Sequence, residues 1–305
     1  MFFLILRCSL PLYLVFACFP CHAGPALWLV QATQGTGQAY LFGSVHFGAE
    51  SMYPLPAYVT EAFASSNSLV VEIDTLAVRS SEVSKTLRQY GRYPNGTRLN
   101  HVLMPEDEER LAELARDLNL SLDRLLCLKP WLAAMQLTTA QIIRLGYRSE
   151  LGLDFHFLQE ARRRKPAMNV VALESLRFQM EMFSHLDEDL QLAFLQQTLD
   201  EVESGQSVLT QSLQAWSEGN LPVLERLLLK SLADADQSLR QNVYNLRNRA
   251  MAEKLAERLE QGELLFVVVG VGHLLGDESI NALLSSRGYR VSRIDSTQRT
   301  TGNGG

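Results

Sequence analysis

The chain has 305 residues, 28 of them Lys or Arg and 34 Asp or Glu, for a net charge of −6. Mild acidity, with no basic run beyond Arg162-Arg-Arg-Lys165, argues against nucleic acid as a partner. Of its cysteines, Cys8, Cys18 and Cys21 crowd the N-terminus and only Cys127 lies beyond, which excludes an internal disulfide in the body and any cysteine-rich zinc site.

The first 23 residues, MFFLILRCSLPLYLVFACFPCHA, carry one positive charge at Arg7 and a long apolar run that is short for a membrane span. Ending on Cys21-His22-Ala23, they read as a secretory signal peptide cleaved after Ala23, which directs the protein to the periplasm or the exterior. Val15-Phe-Ala-Cys18 offers a weaker lipoprotein reading, with a lipid anchor on Cys18. The remaining chain is long enough to bury a sizeable core without a transmembrane span; we take residues 24–295 as one domain and 296–305, which lack apolar content, as a disordered tail.

Two apolar runs, Ala26 to Thr33 and Gln38 to Gly43, flank the turn QGTG and predict a hairpin. A helix is expected around Ala57 to Ser65 and a buried strand in SLVVEID, Ser68 to Asp74, with Asp74 capping the helix that follows. Pro105-Glu-Asp-Glu-Glu opens a helix with acids in its first turn, and another covers Ser121 to Leu145. GLDFHFLQEARRRKP predicts an amphipathic helix stopped by Pro166, and NVVALES a strand. From Leu176 to Leu259 the pattern is helical, with breaks near Gly205, Gly219 and Asp234; a strand at Leu264 to Val269, a helix at Glu278 to Ser286 and a last strand in YRVSRID close the chain. The order strand, Gly-x-x-His, helix, strand, Ile-Asp occurs twice, through His46 and through His273. The fold class expected is α/β (α+β): a central mixed sheet of two βαβ-like halves, flanked by helices, with a large helical insertion.

Ligands of open α/β sheets sit beyond the carboxyl ends of the strands. Four predicted strands end there on His46, Glu72, Glu174 and His273. Glycines before both histidines let the backbone turn without a Cβ clash, and they also leave room for something beside the chain. Imidazoles and carboxylates converging at a sheet edge suit zinc, manganese or iron, and serve equally as general base and orienting partner without metal. A lone histidine after a strand is more often structural, but two copies with matching flanks favour function. Glu72 follows Val70 and Val71, and a buried acid wants a partner. His101, His156 and His185 lack that context. Arg247 and Asn248 by themselves read as a solvated helix face, and Asp154 as an N-terminal helix charge. Neither an H-E-x-x-H helix, a Gly-x-Ser-x-Gly elbow nor a phosphate loop is present.

The segments LWLVQA, YLFGSVHFGAESMYPLP, LVVEID, GLDFHFLQEA, VVALES, LRNRAMAEKL and FVVVGVGHLLG, in that order from Leu27 to Ile294, resemble the TraB/GumN family, which includes the animal TIKI proteases. The resemblance implies a fold like that of the erythromycin-esterase and ChaN group and a metal site of His46, Glu72 and His273, with Glu174, Arg247 and Asp154 on further family motifs. The function expected is therefore a secreted or periplasmic metal-dependent hydrolase, a peptidase acting on a peptide or small molecule. His46 and His273 would hold a divalent ion (Mn, Zn, Co or Fe), Glu72 or Glu174 would take the water's proton, and Arg247 would stabilise developing negative charge. The alternatives are a metal-independent esterase-like hydrolase using His46 and a non-catalytic binding protein for a peptide, haem or metal.

Overall fold

The computed structural model describes residues 24–94, 96–204, 208–230 and 236–294. The expected signal peptide with its Cys18 anchor, the breaks at Gly205 and Asp234, Asp295 and the tail lie outside them. No helix among the described residues is long and apolar enough to cross a membrane.

Among the described residues the apolar and β-branched runs form six strands in one sheet, with β3 and the middle of β5 buried throughout: β1 (Leu27–Gln31), β2 (Gln38–Ser44), β3 (Ser68–Val71), β4 (Asn169–Ala172), β5 (Leu264–Gly270) and β6 (Arg290–Ile294). Their order across the sheet is β4-β3-β5-β2-β1-β6. β4, β3, β5 and β2 run parallel, while β1 pairs antiparallel with both β2 and β6. This is the mixed α/β sheet expected from the sequence. The two Gly-x-x-His halves do not lie side by side as separate units: β5, from the second, inserts between β2 and β3 of the first. That interleaving puts both histidine motifs on adjacent parallel strand ends, with Ser44 opposite Gly270 in the register.

Period-two alternation splits the strand side chains between two cores. Phe42, Val71, Phe266 and Val268 face one layer with Phe63, Phe157 and Trp216. Leu41, Val70, Val267 and Val269 face the other, under Met251 and Leu255 of the helix Leu246–Glu260. Each of these buried side chains contributes about 1.5–3 kcal/mol over its exposed state. A third core, around Trp131, Leu111, Leu137 and Leu195, forms away from the sheet among the helices Pro105–Asp117, Pro130–Arg144 and Glu188–Glu203.

The expected helix from Ser121 to Leu145 is two helices, Leu122–Leu125 and Pro130–Arg144. Pro130 has no N–H to continue the first, and it starts the second, where that donor is not needed. The long helical stretch from Leu176 breaks additionally between Leu176–Ser184 and Glu188–Glu203. Asp74 caps a turn through Ala77 N–H and pairs with Arg162, while the next helix, Ser80–Tyr90, starts after Arg79. Trp216, on the helix Val208–Ser217, donates its indole N–H to the Gly43 carbonyl at 2.7 Å, fastening that helical region to the strand that leads to His46.

Candidate functional site

All four parallel strands deliver a polar residue to the same sheet edge. β2 leads to His46, β3 to Glu72, β4 to Glu174 and β5 to His273. Glu174 N–H donates to the Glu72 carbonyl at 2.8 Å, extending the β3–β4 pairing so that the two glutamates stand beside each other.

Glu72 lies at the middle. Its Oε1 accepts the Gly270 backbone N–H at 2.7 Å and its Oε2 accepts from Arg247 at 2.6 Å, with His273 Nε2 3.7 Å away. Burial opposes its charge, yet His273, His46, Arg247 and the Gly270 N–H outweigh that and hold the carboxyl at about 2. Glu174 is closed off: both its oxygens take the Arg247 guanidinium, between 2.7 and 3.1 Å, and Gln179 adds a further bond at 2.9 Å. Arg247 is buried between the two glutamates and donates from Nη1 to the Val243 carbonyl at 3.1 Å. Removing one partner of so buried a set costs about 3–5 kcal/mol, because the others keep uncompensated charge.

The histidines are held alike and titrate apart. His46 Nδ1 meets Asp154 Oδ2 at 3.0 Å. Asp154 reaches it because the helix Leu153–Arg163 starts against the β2 end: a Cβ on Gly152 would stand 2.2 Å from the His46 carbonyl oxygen, and only glycine allows that approach. Asp154 pulls the imidazole up to about 9, a pull that solvent screens because 60% of the His46 side chain is exposed. His273 is buried, and burial pushes its pKa down to about 4. Its Nδ1 meets Asn248 Oδ1 at 2.6 Å, and Asn248 spends its own amide protons on the Glu278 carbonyl at 2.8 Å. Asn248 Oδ1 must therefore accept, so His273 carries its proton on Nδ1 and presents a bare Nε2 towards Glu72.

Gly270 leaves the space in which these groups meet. A Cβ there would lie 3.3 Å from Glu72 Oε1, 3.7 Å from His273 Cδ2 and 3.8 Å from His46 Nε2. The motif glycine is needed for room rather than for a left-handed turn, since its φ is −50°. Gly43, too, serves close packing, against Val271.

The donor chemistry suits a divalent ion: two imidazoles with Nδ1 engaged by an outer amide or carboxylate, and a carboxylate between them. Among the described residues, however, no three His, Cys, Asp or Glu side chains come close enough together to hold an ion as they stand. His46 is the exposed member of the set, and His273 and Glu72 are buried.

Every residue expected at the site reaches this edge: His46, Glu72, Glu174, Asp154, Arg247 and His273 form one hydrogen-bonded and electrostatic cluster. Glu174 and Arg247 are occupied with each other, which the sequence did not show. Sequence reasoning missed Asn248, Gln179 and Tyr244, whose ring edge packs on His273 at 5.1 Å. Asn248 sits one residue after Arg247 on a helix rich in charge, and its burial becomes visible only in the fold.

The TraB/PrgY/gumN family model matches residues 26–293. The chain is 28% identical over 255 residues to the uncharacterized protein YbaP of Escherichia coli and likewise to that of Shigella flexneri, covering 82% of this chain and 89% of each relative. It is 25% identical over 328 aligned positions to the metalloprotease TIKI2 of Danio rerio, covering 87% of this chain and 60% of that protein. No solved structure matches.

Proposed function

Because the chain belongs to the TraB/PrgY/gumN family, we propose that it is a metal-dependent hydrolase of the peptidase type, centred on His46, Glu72 and His273. One observation carries this: the two histidines, each steadied at Nδ1 by another side chain, flank an ionised glutamate where adjacent parallel strands end. The similarity to a protein named a metalloprotease supports amide hydrolysis. The leader-like first 23 residues support export to the periplasm or exterior.

His46 and His273 would hold the ion and Glu72 would complete the donor set. A divalent ion there supplies a Lewis acid and lowers the pKa of water. Hydrolysis forms a bond from the water oxygen to the carbonyl carbon and breaks the C–N bond. The water's proton would pass to the leaving nitrogen, while Glu72, kept ionised by its cationic neighbours, would stay in the donor set. Asp154 and Asn248 keep the imidazoles oriented. Arg247 holds Glu72 and Glu174 charged and in place: its Nε and Nη2 donors go to the two carboxylates and Nη1 bonds the Val243 carbonyl, so its main part is to steady the site. Glu174, enclosed by Arg247 and Gln179, positions that arginine.

The exposed His46 with Asp154 behind it favours one second reading, a metal-independent hydrolase in which this pair activates water. Mass spectrometry of a peptide mixture incubated with protein supplemented with Mn, Zn, Co or Fe, before and after exhaustive chelation, separates the two. Cleavage that stops on chelation and returns with one metal supports the first. Cleavage that survives chelation assigns the second, and no cleavage of any peptide under any condition removes the peptidase.

A further inference from the structure

Two cavities, of about 490 and about 440 Å³, meet at the candidate centre and share Ser44, His46, Phe47, Glu72 and Gln179. Each by itself is the size of a small-ligand site. An enzyme that trims chain ends needs a wall on one side of its reacting groups, and here room continues on both.

Both halves are largely apolar, and they differ in which elements line them and where their charge lies. One is lined by Met135, Ile142, Phe183, Phe194, Leu213 and Leu228, contributed by the helices between β3 and β5. Of the titratable and charged groups of that half, His46 and Glu72 sit at the junction, with Arg247 and His273 bonded to or facing Glu72 from the helical side. The other half adds Ile73, Phe155 and Leu176, with the acids Glu150 and Asp154 among them.

Building on the peptidase proposed above, we propose that the site binds an extended peptide across both halves and cuts within it. The residue lodged on the helical side is bulky and apolar, of the leucine, methionine or phenylalanine kind. Burying such a side chain against the apolar wall is enough to set a preference of about tenfold or more over alanine.

Thr138 stands at the exposed rim of the apolar half. Thr138→Trp narrows that half from a solvent-facing helix position, and Met135→Ala widens it from below. The test uses a library of peptides blocked at both ends, N-acetylated and C-amidated, with binding read by affinity mass spectrometry and cleavage by product masses. Unchanged circular dichroism and melting of the variants serve as the folding control.

We expect blocked peptides to be bound and cut next to Leu, Met or Phe. Thr138→Trp should reduce that preference by about tenfold or more relative to peptides with Ala there, and Met135→Ala should shift it towards the larger aromatics. Binding with this selectivity but without cleavage upholds the cleft and overturns the hydrolase. Cleavage confined to peptides with a free end, or a preference that neither variant moves, overturns the cleft and leaves the hydrolase standing. Neither binding nor cleavage overturns both.

Discussion

His273 hands its Nδ1 proton to Asn248, 2.6 Å away, and Asn248 is itself anchored by the Glu278 carbonyl. The amide therefore chooses the tautomer of the imidazole, and Nε2 is left as an acceptor facing Glu72. An outer partner that orients a metal-binding imidazole typically accounts for a 10- to 100-fold share of metal affinity, roughly. Asn248→Leu should weaken metal binding by about that factor and, by stranding the Glu278 carbonyl, cost about 1–3 kcal/mol in stability. Metal titration beside a denaturant melt checks both. A full loss of stability with unaltered metal affinity would make Asn248 a packing residue only.

Arg247 is predicted to matter for folding before it matters for turnover. Arg247→Met leaves Glu72 and Glu174 buried side by side without a cation, which should cost about 3–5 kcal/mol. Arg247→Lys should recover only part, because one ammonium cannot bridge two carboxylates as the guanidinium fork does. Urea unfolding of the three proteins decides it. Unchanged melts with a collapsed kcat would return Arg247 to the charge-stabilising role expected from sequence.

Gly270→Ala should do the reverse. The backbone there has φ −50°, open to any residue, but the new methyl group would stand within 3.8 Å of Glu72, His46 and His273 at once. The fold should survive with a melting temperature within a few degrees of the parent. Metal binding and activity should be lost. A variant that still binds metal normally would show that the three side chains do not meet over Gly270.

The two histidines give metal-free stability a pH dependence of opposite signs. Burial lowers His273 from 6.5 to about 4, so the unfolded chain takes up a proton below pH 6.5 that the folded chain refuses, and stability declines as pH falls through that window. Asp154 raises His46 from 6.5 to about 9, so its contribution is complete below pH 6.5 and is lost as pH rises through about 9, trimmed by solvent exposure. Glu72 adds a loss only below 4.5, as pH falls towards about 2. Urea midpoints of the metal-free protein should therefore drop between about pH 6.5 and 5, and His273→Asn should flatten that limb. An acid limb that the substitution leaves unchanged would contradict the burial of a neutral His273.

Much of this architecture can be read from the residues themselves. Apolar runs such as FVVVG and LVV have few alternatives to buried strands, and the polar residues that end them fall where an open sheet gathers its ligands. Strand order was not legible, because nothing local in Leu264–Gly270 says that it inserts between β2 and β3. Arg247 and Asn248 looked solvated for the same reason: on a helix rich in charge, only tertiary packing reveals which face turns inward. Of the two roles expected of the motif glycines, turning and leaving room, the contacts around Gly270 display the second. The break before Pro130 was readable from the proline and was overridden by the helical period around it.

The central claim is that the paired Gly-x-x-His motifs exist to hold a metal ion. Elemental analysis of protein purified without chelator or affinity-column metal, beside a His46→Ala/His273→Ala double variant, tests it most directly. The account predicts about one manganese, zinc, cobalt or iron ion per chain in the parent and none in a variant that remains folded. The absence of metal from the parent even after supplementation, or equal metal in both proteins, would contradict it.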